Sequence, residues 1–162
     1  MKSYFTTNVL ADGFLYAMDN TGTEWDPHDD SISSLKCVDV DTGAVRWTKP
    51  GVGWANAIAA DGEILVLRET GELLRVATNS TSYVEIAAYP GLVDPLCWAV
   101  PVLSDGRLYC RNDKGDLTCF SVAPSVTVEA TDPLALEGLD DGAFTFRRVA
   151  ADLSSSLTAT VS

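Results

Sequence analysis

The stretch Trp54-Ala55-Asn56-Ala57-Ile58-Ala59-Ala60-Asp61-Gly62-Glu63-Ile64-Leu65-Val66-Leu67-Arg68-Glu69-Thr70-Gly71-Glu72-Leu73 decides the fold. It holds an aromatic, an Asp-Gly turn, a short apolar run, a second Gly-containing turn and the start of a further apolar run. Short apolar runs broken by such turns are strand and hairpin signals. Ile64-Leu65-Val66-Leu67 does not alternate. A sheet with one wet face would show apolar residues at every second position, so this strand is expected to be covered on both sides.

The same arrangement occurs on either side of it. Asp12-Gly13 and Asp105-Gly106 match Asp61-Gly62, and an aromatic stands seven residues before each Asp: Phe5, Trp54 and Trp98. Trp54 and Trp98 are 44 residues apart, and Leu73 and Leu117 each lie 12 residues after their Asp. In the first copy the matching residue is Leu35, so that hairpin carries an 11-residue insertion. A period near 44 residues suits four strands per unit, the length of a β-propeller blade. The expected fold is all-β: a partial β-propeller of about two and a half four-stranded blades, followed by a truncated Ig-like β-sandwich segment. The blades are expected at 5–53, 54–97 and 98–122, within a region 1–122. Closure needs about 4 to 8 blades, so further blades of the same polypeptide are expected before Met1.

Within the first unit, Asp39-Val40-Asp41-Thr42-Gly43-Ala44-Val45-Arg46-Trp47 resembles the pyrroloquinoline-quinone-type propeller repeat, whose outer strands read Asp-x-x-Thr-Gly-x-x-x-Trp. The resemblance implies that Thr42-Gly43 makes the last hairpin turn of the blade and that Trp47 docks between neighbouring blades. The second unit departs from it, with Asn79-Ser80-Thr81-Ser82 at the turn and no Trp after it. The motif speaks for the fold and says little of activity.

The third unit stops after Leu117–Val122, and 123–125 reads as a linker. Strands are then expected over Val126–Ala130, Gly142–Val149 and Leu157–Val161. This order, with Glu137 between the first two, resembles the opening of a Calx-β domain at 126–162, which implies an Ig-like sandwich cut short.

The chain has a formal net charge of −12, with 11 basic residues. Nucleic acid and anionic lipid are bound through clustered Lys and Arg, so both are disfavoured as partners. No apolar run approaches the ~18 residues of a membrane span. No signal segment follows Lys2. Acidity, repeats and the appended sandwich together suggest a secreted or cell-surface protein of a bacterial envelope.

Chemistry-bearing residues are few. Asp19, Glu24, Asp26, Asp29 and Asp30 gather in or beside the insertion, and oxygen-rich loops suit calcium. The spacing is not that of an EF-hand, and the plainer reading is a solvated or partner-binding loop. Glu137, Asp140 and Asp141 are a second calcium candidate, implied by the Calx-β resemblance, against which stand ordinary turn-forming aspartates. Cys110 and Cys119 would face each other if Lys114-Gly115 were a two-residue loop, leaving a disulfide or two buried thiols as alternatives.

The expected function is a non-catalytic binding or scaffold module for a protein or glycan partner, with no cofactor beyond possible calcium. Phe5, Trp47, Trp54, Trp98, Gly13, Gly62 and Gly106 are expected to serve structure. Two alternatives are a fragment of a quinone-dependent dehydrogenase and an envelope protein-assembly factor. The family's quinone site uses adjacent cysteines, which this chain lacks.

Overall fold

A computed structural model describes residues 3, 6–20, 33–122, 125–132 and 143–149. These are all-β, with no helix among them. The first sheet is an antiparallel meander of β1 (Val9–Ala11), β2 (Phe14–Asn20), β3 (Ser33–Asp39) and β4 (Val45–Pro50). The second repeats that order with β5 (Ala55–Ala60), β6 (Glu63–Arg68), β7 (Leu73–Ala77) and β8 (Glu85–Tyr89). The third has three strands, β9 (Val102–Ser104), β10 (Arg107–Arg111) and β11 (Leu117–Ser121). A two-stranded sheet of β12 (Ser125–Asp132) and β13 (Ala143–Val149) follows. Neighbours in each sheet are consecutive in the chain, and among the described residues no sheet closes on itself.

The Asp-Gly turns explain why the meanders form. Asp12, Asp61 and Asp105 have φ of 51°, 50° and 48°, and the glycines after them 81°, 77° and 67°. Two consecutive left-handed residues make a type I′ turn, whose twist matches the right-handed twist of the flanking strands. Asp tolerates that conformation and Gly adopts it freely. The loops are two residues long, with Ala11 opposite Phe14 and Ala60 opposite Glu63. The neighbouring hairpin closes on the same glycine in all three units: Val40 N to Gly13 O at 3.3 Å, Thr78 N to Gly62 O at 2.9 Å and Val122 N to Gly106 O at 2.8 Å.

The second sheet is covered on both faces. Ile64, Val66, Leu74 and Val76 join Tyr16, Met18, Leu35 and Cys37 of the first sheet in one apolar core. On the opposite face Leu65, Leu67 and Leu73 are also buried, at 8%, 0% and 5% exposure. Each such side chain contributes about 1.5–3 kcal/mol by leaving water, so the non-alternating run of β6 reports two buried faces.

The chain divides into two compact units, Met1–Ser104 with Leu108–Cys119, and Asp105–Arg107 with Phe120–Ser162. The second unit holds the β12–β13 hairpin, paired from Ser125 opposite Val149 to Ala130 opposite Phe144, with an irregularity between Ala130 and Asp132. The strand expected at 157–161 lies outside the described residues.

Candidate functional site

The end of the sheets where β2 meets β3 and β6 meets β7 gathers the buried polar side chains. Asp19, Asn20, Ser33, Ser34, Asn56 and Glu69 are all buried. Burying polar groups is costly unless they are bonded, so their partners decide what this end can do.

Asp19 forms an ion pair with Lys36, the neighbouring strand's cation, and its carbonyl accepts from Ser34 Oγ at 3.3 Å. Asn56 bridges two segments: its Oδ1 accepts from Thr7 N at 3.3 Å and its Nδ2 donates to Trp98 O at 2.9 Å. Glu69 Oε2 accepts from Trp98 Nε1 at 3.2 Å, and its carbonyl accepts from Cys97 N at 2.9 Å. Arg68 closes the β6–β7 turn, with its guanidinium 2.5 Å from Glu72 Oε2 and Nε donating to Val52 O at 2.6 Å. Asn112 does the same for the β10–β11 turn, exchanging bonds with Asp116. Asp19, Asn56, Arg68, Glu69 and Asn112 are thus spent on tying neighbouring strands and segments to one another. Between the two sheets they leave a shallow cleft edged by Thr6, Asp19, Asn20, Ser33 and Trp54.

The Asp-x-x-Thr-Gly-x-x-x-Trp segment folds as one device. Asp39 Oδ1 accepts from Thr42 N at 2.9 Å and Asp41 N at 3.2 Å, and those bonds hold its carboxyl below the usual carboxylate range. Gly43 turns the chain at φ 72°, and its N donates to Asp39 O at 2.8 Å. Trp47 then reaches the second sheet. Its Nε1 donates to Asn79 O at 2.6 Å, and its ring packs on Tyr16 and, edge on, Tyr83.

The other expected structural aromatics differ from each other. Trp54 is buried, whereas Trp98 is 54% exposed although its indole N–H is bound by Glu69. Phe5 lies outside the described residues, as do the calcium candidates Glu24, Asp26, Asp29, Asp30, Glu137, Asp140 and Asp141. Of the expected ligands only Asp19 is described, and it sits against Lys36. Among the described residues no three His, Cys, Asp or Glu side chains come together as a metal-holding group.

The cysteine pairing expected from a two-residue loop is corrected. Asn112 N donates to Asp116 O at 3.2 Å and Gly115, at φ 92°, turns a three-residue loop. That register sets Cys110 opposite Thr118 and Cys119 opposite Tyr109. A one-residue slip moves a side chain to the other face. Accordingly Cys110 is buried, Cys119 is exposed, and all four cysteines are free. Burial pushes the Cys110 thiol up to about 11 and raises Cys37 and Cys97 as well.

Sequence reasoning missed Gly71, Asn56 and Glu69. A Cβ on Gly71 would stand 1.7 Å from Val93 O, whose own N–H donates to Gly71 O. The Glu69-Thr70-Gly71-Glu72 turn was visible in the sequence, but the segment packed over it was not.

No family model matches the chain, and no curated protein matches it. Among the described residues no helix is long and apolar enough to cross a membrane.

Proposed function

We propose that the chain is a non-catalytic binding and scaffold module of a secreted or cell-surface bacterial protein. Its sheets are read as blades of a pyrroloquinoline-quinone-type β-propeller, with a Calx-β-like segment over 126–162. The observation carrying this reading is the burial of β6 on both faces, which suits units that stack against one another. The recurrence of the Asp-Gly hairpin bonds supports it, as does the Trp47 contact with Asn79.

A scaffold role also accords with the polar chemistry. The side chains at the strand ends tie neighbouring strands and segments to one another, leaving exposed strand ends and loops to meet a glycan or protein partner. Loops and strand ends on a rigid frame are where such modules recognise partners.

The test is a binding survey of the intact chain against a soluble glycan panel, paired with dehydrogenase assays in added pyrroloquinoline quinone and calcium. The expected result is saturable glycan binding without turnover. Quinone-dependent oxidation of an alcohol or sugar would overturn the reading in favour of an enzyme.

A further inference from the structure

The second unit departs from the first at its last hairpin. Between β3 and β4 the bond from Asp39 N to Ala44 O closes a loop of residues 40–43. Between β7 and β8 the bond from Ala77 N to Val84 O closes residues 78–83. The longer loop carries Asn79-Ser80-Thr81, and no other asparagine of the chain has Ser or Thr two residues after it. Asn-x-Ser/Thr is the acceptor pattern for N-linked sugars, which attach at surface loops.

The backbone of Asn79 is fixed on both sides. Its N donates to Ala77 O at 2.8 Å, and its carbonyl accepts from Trp47 Nε1 at 2.6 Å. Its Oδ1 accepts from Thr81 N at 2.8 Å, which holds the carboxamide beside Thr81. Among the described residues Nδ2 makes no hydrogen bond, nor do the hydroxyls of Ser80, Thr81 and Ser82. Thr81 and Ser82 are exposed, and Asn79 and Ser80 are half-buried. The loop lies on the second sheet, with the first and third sheets both described, so its accessibility is not that of a terminal sheet.

A structural role accounts for the oxygen of this side chain and not for its nitrogen. In the first unit Asp39 closes the turn with Oδ1 alone, accepting from Asp41 N and Thr42 N. A carboxylate at position 79 would accept from Thr81 N equally well. What the asparagine adds is a carboxamide nitrogen free of hydrogen bonds, two residues before an exposed hydroxyl.

We infer that Asn79 is the acceptor of an N-linked sugar. Its Nδ2 attacks the anomeric carbon of a diphosphate-activated sugar. The bond from that carbon to the phosphate oxygen breaks, and the diphosphate leaves with the electron pair. One amide proton passes to a base of the transferring enzyme, and nothing is oxidised or reduced. The bond accepted at Oδ1 draws electron density from the carboxamide and eases that proton's loss. The donor carries its sugar on a nucleotide or on a lipid. Such sugars mark secreted and surface proteins, so the assignment rests on the proposed setting.

The experiment has two arms, both on the full chain. In the first, the purified folded protein is incubated with a soluble N-glycosyltransferase and a nucleotide-activated hexose. In the second, the chain is exported from cells that supply a lipid-linked oligosaccharide. Peptide mass mapping is expected to find one sugar per chain, on Asn79, and the arm in which it appears identifies the donor. Asn79→Gln should abolish it. Thr81→Ala should abolish it too, since it removes the hydroxyl and leaves the backbone bond to Asn79 Oδ1 intact, whereas Thr81→Ser should retain it. An unmodified Asn79 in both arms overturns the inference. So does a sugar that Thr81→Ala leaves in place, or one that the first arm adds only after unfolding. The first arm needs no export, so its result bears on the loop and not on the secreted or cell-surface reading.

Discussion

Trp47 Nε1 lies 2.6 Å from Asn79 O, so the last strand of the first sheet is fastened to the β7–β8 connection of the second. The ring is held between Tyr16 and Tyr83 at 5.9 and 5.7 Å between centroids. A hydrogen bond and two aromatic contacts converge on one half-buried side chain.

Truncation there is expected to be costly. Trp47→Ala should destabilise by about 3–5 kcal/mol, the range for emptying a large aromatic site. Trp47→Phe keeps most of the packing and should lose only about 1 kcal/mol with the hydrogen bond. Urea denaturation followed by circular dichroism separates the two. Equal stability of all three proteins would mean that the sheets do not rely on this contact.

Gly71 and Gly91 provide a matched pair, both at positive φ, 81° and 63°. A methyl at Gly91 meets nothing within 4 Å, whereas at Gly71 it meets the Val93 carbonyl. Gly91→Ala should cost about 1–2 kcal/mol, the penalty of a left-handed residue with a Cβ. Gly71→Ala must in addition displace the segment over the turn, and should cost at least twice as much by the same denaturation assay.

Thiol chemistry reports the β10–β11 register. In the native protein iodoacetamide should modify Cys119 first, while Cys37, Cys97 and Cys110 react only after unfolding, as peptide mass mapping would show. A native disulfide joining Cys110 to Cys119 would contradict the three-residue loop.

The same thiols set an alkaline limit. Cys110 ionises at about 11 in the folded chain against an ordinary value of 9.0. Its neutral form is the one the fold accommodates, so its contribution is fully present below pH 9 and is lost as pH rises through 11. Thermal midpoints measured between pH 8 and 11 should fall, and Cys110→Ala should flatten the decline.

The turns were the legible part of this chain. Asp12-Gly13, Asp61-Gly62 and Asp105-Gly106 encode a left-handed backbone in their own residues, so their hairpins can be read without tertiary knowledge. The run Ile64–Leu67 likewise announced two covered faces through composition alone. The β10–β11 register was not legible, because Asn112 and Asp116 frame the loop with side-chain bonds that spacing does not reveal. The polar frame was hidden for a related reason. Asn56 and Glu69 find Trp98 across 42 and 29 residues of chain, a pairing no local pattern specifies.

Covered faces on both sides of β6 are the physical core of this account, and single truncations along that strand test them most directly. Leu65→Ala, Val66→Ala and Leu67→Ala should each destabilise the chain by roughly 2–5 kcal/mol in urea, with no alternation along the strand. If either Val66 or the Leu65–Leu67 pair tolerated truncation within about 0.5 kcal/mol, as surface positions do, one face of the second sheet would be wet and the stacked-sheet account would fail.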